Sequence, residues 1–586
     1  MSSNDPTLPP TRTFHFTFSD TERIAQKTPF PLVGMANYLN RLDFINYINN
    51  RLSWDETQCK FSPGVLAQLL VLVPFIPAQR RIALYAIPHA YEKMDLELVT
   101  GYKNDPITGQ KIEACELNDE LFARLLDRIH TYGPSKLFHD LAITVRTTFS
   151  LPINFEFHSD TTSHVLYGSY IQNGVTECEI PTITIARGYS KDKQPNLLQI
   201  QTGMITDGDG LPLFAFPLDG NNSDTVWNAT IIAVLHEVFG PEFSKHIYVA
   251  DSKLMTKKNF LALMQGEFPI PFVSRLPENF CDKLSERMKH LAYRKDKWEY
   301  VGTCCNYPSK NAPVYYVSTI ETCVYGFNVY VHVYKTREKR EKVERDVAAE
   351  TEELEKKVTN LSKNEFFCEK DATVAMEEFL ASNSRLMVEA ELEVVVEVTH
   401  TKPPGRPPKN PKPLEEKVRW RIVKQGIKRK EDKITNKIEK LSTFCLITNS
   451  DPSEKSSQEI LVTYKGQSNV EGQFSILKQP FMAATIFLEK PGRIEALMVI
   501  IYFAALLHGI LRLIARIEIQ KEEEPPRWGP DRRPVVRPTS RTMLGILAKF
   551  TVIQRGGVTI IDATTVEMEK EFERVLRVIQ FDSGFV

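Results

Sequence analysis

Residues 153–168 read INFEFHSDTTSHVLYG, and the apolar–polar alternation of the first half predicts a β-strand that ends at Asp160. Two further apolar runs follow along the chain, LLQIQTGMIT (197–206) and GLPLFAFPL (210–218). The segment DGDG (207–210) between them has the composition of a hairpin turn. Together the three runs predict strands of which two are joined by a tight hairpin.

The chain then changes to an alternation of helices and strands. SDTVWNATIIAVLHEVFG (223–240) has helical spacing, with Ser223 as its candidate N-cap and Gly240 as its end. HIYVAD (246–251) is typical of a buried strand that ends in an acid, and PFVSR (271–275) follows after a second helix. This order predicts an α/β layer with carboxylates at the ends of its strands.

The same patterns divide the whole chain into regions. Apolar residues at three- and four-residue steps predict helices before residue 150, and Asn118 ahead of DELFARLL (119–126) is a candidate N-cap. The predicted regions are a flexible tail (1–30), a helical N-terminal domain (31–150), the first part of an α/β domain (151–275), an insertion with strands, a charged helix and a basic proline-rich segment (276–440), the second part of the α/β domain (441–520), and a linker with a C-terminal segment (521–586).

Composition indicates a globular protein of a reducing compartment. The 586 residues are 42% hydrophobic and 25% charged, which excludes a fibrous or wholly disordered chain. Nine cysteines without a C-x-x-C pair argue against a disulfide framework, and the N-terminus has no signal-peptide pattern. The longest apolar run, 496–507, is shorter than the roughly 17–25 residues that span a membrane, so we expect a buried helix there. These features predict a soluble intracellular protein without a membrane partner.

Two aspartates follow predicted strands and are candidate metal ligands. Asp160 ends the first strand and precedes small hydroxyl residues, and Asp251 ends HIYVAD in the same manner. A carboxylate at a strand end beside a turn suits a hard divalent cation. The alternative interpretation is that each aspartate caps the helix or turn after it, a frequent role of aspartate. The residues alone leave both interpretations open.

A third acid, Glu471, lies in YKGQSNVEGQFSILKQP (464–480). If the segment from Asn469 onward is helical, Glu471 and Lys478 are seven residues apart and share one helix face. A metal-binding carboxylate would then lie two turns from a cation able to bind a phosphate. The alternative is an amphipathic helix that packs its apolar residues and leaves these charges in solvent.

This segment resembles the Tyr-(2)-Arg-(3)-Glu-(6)-Lys signature of insertion-sequence DDE transposases, in the branch whose RNase-H-like catalytic domain is interrupted before its last acid. The chain has Tyr464-(2)-Gln467-(3)-Glu471-(6)-Lys478, the full spacing with glutamine in place of arginine. HSDTTSHVLYGSY and IYVADSKLMTKKNF resemble the family's segments for the first and second acids. LSWDETQCKFSPGVLAQLLVLV resembles the domain that precedes catalysis in one subgroup. The resemblance covers nearly the whole chain from about residue 35.

The resemblance implies an α/β fold: an RNase-H-like mixed sheet flanked by helices, interrupted by a mixed α+β insertion and preceded by an all-α domain that binds DNA ends. It implies two Mg²⁺ or Mn²⁺ ions held by Asp160, Asp251 and Glu471, since two-metal cleavage needs converging carboxylates. Because Gln467 is uncharged, its contact with a phosphate should be weaker than that of an arginine. The residues implied to contact phosphates at the transposon end are Tyr464, Gln467 and Lys478.

Three other features near these acids support weaker interpretations. His158 and His164 flank Asp160, but no further Cys or His at suitable spacing accompanies them, so a zinc site is disfavoured. Asp224 in GNNSDTVW is interpreted as a helix cap or first-turn acid, with a supporting role in the site as the alternative. RGYSKDKQPNLLQ (187–199) resembles a stretch of the family, and its pattern indicates no chemical role.

Charge is uneven along the chain although the net charge is −1. Residues 401–440 contain 14 Lys and Arg against 5 acids. This block begins with PPGRPPKNPK, which resembles an AT-hook, and extended Arg side chains suit a narrow minor groove. The alternative is a solvated basic linker. The residues predicted to bind DNA in this block are Lys402, Arg406 and Lys409.

The leading hypothesis is a cut-and-paste DNA transposase that cleaves phosphodiesters at transposon ends and transfers the DNA 3′-hydroxyl to a target. Its implied partners are double-stranded DNA, as terminal inverted repeats and target, and a second copy of the chain in a synaptic homodimer. The implied location is a prokaryotic cytoplasm, in association with the nucleoid. The alternatives are a domesticated or decayed transposase that only binds DNA, and an RNase-H-like nuclease without strand transfer.

Overall fold

The structure of the protein, a computed structural model, describes residues 17–18, 27–77, 82–167, 181–303, 312–336, 338–401, 415–479, 482, 488–529, 532–555 and 558–582. The chain forms a main unit, made of Met1–Ser274 and Thr463–Val586, and an inserted unit, Arg275–Val462. The inserted unit is continuous in sequence and interrupts the main unit once. Each unit contains a hydrophobic core of its own residues.

The N-terminal part of the main unit is helical. Two short strands, β1 (Thr17–Phe18) and β2 (Thr28–Pro29), come before the helices. The predicted N-cap at Asn118 is confirmed, because its side chain accepts a hydrogen bond from the Leu121 amide at 3.0 Å. The helices are α1 (Phe30–Arg41), α2 (Phe44–Asn49), α3 (Pro63–Leu72), α4 (Ile87–Tyr91), α5 (Leu96–Thr100), α6 (Asp119–Tyr132), α7 (Pro134–Ala142) and α8 (Val145–Thr148).

A mixed sheet follows these helices. Its strands are β3 (Glu156–Leu166), β4 (Leu198–Asp207), β5 (Pro212–Leu218), β6 (Ile247–Ala250) and β7 (Phe272–Arg275). Their order is β5-β4-β3-β6-β7. β3, β4 and β5 pair antiparallel, whereas β6 pairs parallel with β3 and β7 pairs parallel with β6. An antiparallel meander with two parallel strands beside its first strand is the RNase-H-like order, and the predicted α/β fold class is confirmed.

Helices connect the parallel strands of this sheet. α9 (Asp224–Phe239) lies between β5 and β6, and α10 (Lys257–Met264) lies between β6 and β7. Ser223 caps α9 as predicted, since its hydroxyl accepts a hydrogen bond from the Val226 amide at 3.3 Å. Gly210, the last residue of the predicted hairpin turn, has a φ of 81°, which favours glycine. The local predictions for this part of the chain are therefore confirmed.

The position of Asp160 corrects one prediction. β3 continues to Leu166 and stays paired with β4 along this length, so Asp160 lies inside the strand and not at its end. The threonines and valine after Asp160 suit a paired strand, which explains the continuation. The parallel pairing with β6, in contrast, stops at Ser159 and Ala250. Asp160 therefore lies at the end of the β3–β6 ladder although β3 itself continues.

The inserted unit contains both strands and helices. Its elements are α11 (Leu284–Lys295), β8 (Glu299–Thr303), β9 (Val314–Val324), β10 (Phe327–Thr336), α12 (Glu338–Leu361), β11 (Glu365–Phe366), α13 (Glu369–Ser382), β12 (Val388–Thr401), β13 (Glu415–Arg429), α14 (Glu431–Ser442) and β14 (Thr443–Thr448). β14, β10, β9 and β8 pair in that order, all antiparallel. β12 and β13 form a long antiparallel pair, with β11 beside β13.

The basic block of residues 401–440 is a strand and a helix from residue 415 onward, so that part is not a linker. Lys424 Nζ lies 2.7 Å from a Glu355 oxygen on α12, and Arg421 Nε lies 3.0 Å from a Glu397 oxygen on β12. Much of the positive charge of the block is therefore compensated inside the inserted unit. The other basic residues of the block with acidic partners are Arg419, Arg429, Lys430, Lys437 and Lys440. The predicted DNA contacts Lys402, Arg406 and Lys409 lie outside the described residues.

The chain re-enters the main unit through α15 (Ser457–Lys465) and α16 (Ser468–Leu477). The next helix, α17 (Pro491–Gln520), packs against α3, α6, α7 and β5. Within the described residues it is the one helix long and apolar enough to cross a membrane, and that apolar segment is buried inside the protein. The buried helix predicted around residues 496–507 is confirmed.

The two ends of the chain meet in a small sheet. After α18 (Ser540–Leu547) come β15 (Phe550–Arg555), β16 (Val558–Ala563) and α19 (Val566–Val578). The sheet order is β1-β16-β15-β2. The Tyr38 hydroxyl on α1 donates a hydrogen bond to the Ile579 carbonyl oxygen at 2.7 Å. The C-terminal segment therefore completes the packing of the N-terminal helices.

Candidate active site

Asp160 and Asp251 lie side by side at the end of the β3–β6 ladder. Ser159 and Ala250 are the last paired residues of these parallel strands, and the two aspartates follow them directly. Asp251 caps the 3₁₀ turn after β6 by accepting a hydrogen bond from the Lys253 amide at 2.9 Å. The capping interpretation is therefore correct for Asp251, although it occupies one carboxylate oxygen and leaves the other for a ligand role.

Burial and the charges of neighbouring acids raise the pKa of both carboxyl groups. Burial is the largest cause for Asp160, whose pKa is raised to about 6 against the attraction of Lys191. Repulsion from Asp251 and Asp224 adds to this increase. Burial also raises the pKa of Asp251, and the charge of Asp224 contributes to that increase. Three interacting carboxyl groups in a partly buried position are typical of a functional site.

Asp224 and Lys191 complete this cluster. Asp224 lies in the first turn of α9, which confirms its interpretation as a first-turn acid, and its carboxylate accepts a hydrogen bond from the Thr161 hydroxyl. Lys191 Nζ lies 3.3 Å from an oxygen of Asp160 and 3.3 Å from an oxygen of Asp224. Sequence reasoning missed Lys191, because the only signal was the segment RGYSKDKQPNLLQ, and folding alone brings it to the acids.

α16 packs directly on β3 beside the aspartates. The Gln467 side-chain amide donates a hydrogen bond to the Ser159 carbonyl oxygen at 2.7 Å. Gly466 permits this close approach, because a Cβ atom at that position would lie 2.7 Å from the His158 ring. The glutamine that replaces the arginine of the transposase signature thus fastens the helix to the residue before the first candidate ligand.

Glu471 lies one turn after Gln467 on the same face of α16 and is exposed. Lys478 lies two turns further on, and its Nζ is 2.5 Å from an Asp192 oxygen. The segment from Asn469 onward is helical, as the prediction for this face required. Glu471 and Lys478 are seven residues apart and therefore share one face of this helical segment.

The three predicted phosphate contacts of this region have different surroundings. Gln467 is 8% exposed, and its side-chain oxygen is buried without a hydrogen-bond partner in the described part of the chain. Lys478 lines a surface cavity of about 220 Å³ together with Ser163 and Tyr167 of the β3 segment. Tyr464 is partly buried on α15. Lys478 is thus the member of the set that borders open space.

The ligand atoms at this position suit a hard divalent cation. Asp160, Asp224 and Asp251 offer carboxylate oxygens, which Mg²⁺ and Mn²⁺ prefer. The ammonium of Lys191 already lies between the oxygens of Asp160 and Asp224, which shows that the position accommodates a cation. In the described part of the chain, neither the oxygens of Asp160, Asp251 and Glu471 nor those of Asp160, Asp224 and Asp251 all lie within 4.8 Å of one another. The structure therefore does not gather the three predicted ligands into one cluster.

The two histidines beside Asp160 have hydrogen-bonding roles. His158 Nε2 lies 3.1 Å from a Glu156 oxygen, and His164 Nε2 lies 2.9 Å from the Thr202 hydroxyl oxygen. Both rings are buried, and burial lowers the pKa of His164 to about 4. These contacts account for both side chains as polar groups of the sheet core.

Comparisons with known proteins reach only part of the chain or are distant. A family model described as a domain of unknown function (DUF4277) matches residues 30–143, the helical N-terminal region. None of the curated proteins matches the sequence significantly. Among solved structures, the chain is similar to one from the cryo-EM structure of the piggyBac transposase synaptic complex with hairpin DNA, with 10% identity, a TM-score of 0.34 and coverage of 89% of this chain and 82% of that chain. A TM-score of this size does not establish a shared fold, so the site residues have to support any functional assignment.

Proposed function

We propose that the protein is a DNA transposase that cleaves phosphodiesters at transposon ends and joins the freed 3′-hydroxyl to target DNA. The supporting observation is the position of Asp160 and Asp251, side by side at the end of the parallel ladder of an RNase-H-like sheet. A helix that carries Glu471 is fastened to the same strand through Gln467. These are the three acids that the transposase resemblance assigns to metal binding.

Asp160, Asp251 and Glu471 would hold two Mg²⁺ or Mn²⁺ ions. When bound, the two ions supply activation of a water or a DNA 3′-hydroxyl and stabilisation of the leaving 3′-oxygen. Glu471 would join them from an exposed position on α16, the helix that Gln467 holds against β3. The sheet fixes the two aspartates, because both follow directly from paired strand residues.

Other residues of the chain would position the DNA. Lys478 and Tyr464 contact phosphates of the transposon end, and Gln467 acts mainly by holding α16 on β3. Lys402, Arg406 and Lys409 contact the minor groove from the basic proline-rich segment. The N-terminal helices bind the DNA ends, and two copies of the chain hold two ends in a synaptic homodimer at the nucleoid.

The second candidate function is a decayed or domesticated transposase that binds DNA without cutting it. Two observations favour it: the oxygens of the three predicted ligands do not all lie within 4.8 Å of one another, and a neutral glutamine replaces the signature arginine. In this alternative Gln467 and Lys478 keep their roles in binding, and Mg²⁺ has no effect on the DNA.

Cleavage of a defined DNA distinguishes the two functions. The substrate is a double-stranded DNA that carries the inverted repeats flanking the gene, incubated with full-length protein and Mg²⁺. We expect strand breaks at the repeat ends, and we expect Asp160→Asn to reduce their rate about 10³-fold or more while DNA binding is retained. Sequencing the products separates strand transfer from simple nuclease action.

A matched control keeps this experiment specific. Asp562→Asn removes an exposed carboxylate that pairs with Lys27 on the small terminal sheet, far along the chain from the site residues. It should cleave at the wild-type rate. Binding of the repeat DNA without any Mg²⁺-dependent breaks by the wild-type protein would contradict the enzymatic proposal and support the binding function.

A further inference from the structure

The ammonium of Lys191 lies in a shell of oxygen atoms inside the acidic cluster. It donates hydrogen bonds to the Thr161 carbonyl oxygen at 2.7 Å, to the Thr161 hydroxyl oxygen at 2.9 Å and to an Asp160 oxygen at 3.3 Å. An Asp224 oxygen lies at 3.3 Å as well. Carboxylate, hydroxyl and carbonyl oxygens are also the kinds of ligand atom that hard metal cations prefer in proteins.

The backbone on either side of this ammonium is held in place. The Lys191 amide donates a hydrogen bond to the Ser163 hydroxyl oxygen on β3 at 3.0 Å. The next residue, Asp192, forms an ion pair with Lys478 at the end of α16. The Lys478 Nζ atom lies 2.5 Å from an Asp192 carboxylate oxygen. Lys191 therefore compensates negative charge in the candidate metal site, and the adjacent Asp192 compensates the positive charge of Lys478, the candidate phosphate contact.

The arrangement has a direct consequence for metal binding. A divalent cation held by Asp160 would compete with this ammonium, because the carboxylate of Asp160 and its negative charge are common to both. The stem of lysine is flexible and its ammonium is a compact point charge, so the side chain can leave while the anchored backbone stays. The acids beside it would repel one another if no cation were present.

We propose that Lys191 is a resident counter-ion of the acidic site, which holds Asp160 and Asp224 together until a divalent cation displaces its ammonium. This proposal rests on the proposed function, since it concerns the same site, and it adds a residue with no ligand role. Lys191 is a positioning residue: it sets the affinity of the site for metal and keeps the carboxylates assembled in the metal-free protein.

Mn²⁺ binding to the full-length protein without DNA tests this role, with free Mn²⁺ measured by electron paramagnetic resonance. We expect Lys191→Met to bind Mn²⁺ about tenfold or more tightly than the wild type, because the competing charge is gone. Lys191→Arg keeps the charge and should retain the wild-type affinity. Lys193→Met, a change of an exposed lysine two positions along, is the matched control and should also behave as wild type.

Thermal unfolding adds a second readout. In EDTA, Lys191→Met should melt at a lower temperature than the wild type, and saturating Mn²⁺ should remove the difference. A purely structural lysine would lower the melting temperature equally with and without Mn²⁺ and would leave the affinity unchanged.

The outcomes separate this proposal from the proposed function. Equal or weaker Mn²⁺ binding by Lys191→Met, with the wild type binding normally, overturns the counter-ion role and leaves the transposase proposal intact. Absence of Mn²⁺ binding in both proteins overturns the metal site itself, and with it both proposals. Tighter binding by Lys191→Met alone supports the counter-ion role.

Discussion

In the main unit, the ammonium of Lys191 lies between the carboxyl groups of Asp160 and Asp224 in a partly buried cluster. In the inserted unit, basic residues of β13 and α14 pair with acids of α12 and β12 on the surface. The side chains of Asp160 and Lys191 are 22% and 28% exposed, whereas those of Lys424 and Glu355 are 38% and 50% exposed. In the first arrangement two carboxyl groups share one partly buried ammonium, whereas in the second the ion pairs lie at the surface.

The difference shows how similar residues serve function in one place and structure in another. A surplus of buried acids is costly unless a cation is supplied, so the cluster of the main unit is suited to binding one. Exposed pairs are worth little individually, although opposite charges on neighbouring strands favour the observed register. If this distinction is correct, breaking buried pairs in the main unit should matter more than breaking exposed pairs in the inserted unit.

The largest loss of stability is expected when Arg146 is replaced. Its guanidinium lies 2.8 Å from an oxygen of Asp207, which is fully buried, and 2.7 Å from an oxygen of the half-exposed Asp209. Burial raises the pKa of Asp207 although Arg146 opposes this increase. We expect Arg146→Met to destabilise the main unit by about 3–5 kcal/mol, because it leaves a buried carboxyl group without its cation. Hydrogen exchange, which reports the two units separately, measures the loss of protection in β4 and α17.

Asp209→Asn is the control for this prediction. It removes the exposed partner and keeps the buried Arg146–Asp207 pair, so the expected loss is below about 1 kcal/mol. Equal loss of protection in the two variants would contradict the importance of burial on which the comparison depends.

An intermediate effect is expected on the pH dependence of the stability of the main unit. His508 on α17 is buried, its ring stacks on Phe75 with 4.9 Å between centroids, and neither ring nitrogen has a hydrogen-bond partner in the described residues. Burial, followed by the charge of Arg512, lowers its pKa to about 3. Below about pH 6.5, His508 binds a proton in the unfolded chain but not in the folded chain. The free energy of unfolding therefore decreases as the pH falls, by about 1.4 kcal/mol per pH unit, until the pKa of His508 in the folded chain is reached. We expect His508→Phe to reduce this slope by that amount.

Hydrogen exchange at pH 7 and pH 5 checks the His508 prediction, after correction for the intrinsic exchange rates. His332→Phe is the companion change in the inserted unit, where burial lowers the pKa of His332 to about 4 and its Nδ1 lies 2.9 Å from the Thr319 hydroxyl oxygen. It should alter the acid response of the inserted unit alone. If the pH dependence of main-unit stability were the same in His508→Phe and the wild type, other groups would cause the acid sensitivity.

The smallest effect is expected for an exposed pair of the inserted unit. Lys424→Ala removes the ion pair with Glu355, and we expect less than about 1 kcal/mol of destabilisation, declining further in high salt. Protection of β13 and α12 in hydrogen exchange measures this change. The charge-swapped double variant Lys424→Glu with Glu355→Lys should restore the wild-type value. A loss as large as that of Arg146→Met would remove the contrast between the two units.

Local patterns explain what could be predicted from the sequence. The hairpin at residues 207–210, the caps Ser223 and Asn118 and the strand that ends before Asp251 depend on neighbours within a few residues. The same holds for the helix that carries Glu471, where spacing alone determines the shared face. Such features follow from turn chemistry, capping and hydrophobic period, which are properties of short segments.

Features that depend on distant partners could not be predicted. Asp160 was expected at a strand end, but pairing with β4 extends β3 past it. The basic residues of β13 looked unpaired because their acidic partners on α12 lie far away along the chain. Lys191 gave no signal of its own, since its role depends on Asp160 and Asp224, about thirty residues away on either side.

The packing of α17 against the N-terminal helices also has a consequence for synthesis of the protein. The ribosome completes the region of residues 30–143 about 350 residues before α17 begins, which at roughly 5–20 residues per second is a delay of about 20–70 s. Throughout this time the apolar faces of α3, α6 and α7 that contact α17 have no native cover. We therefore expect the nascent chain to need a chaperone that shields these helices until α17 emerges.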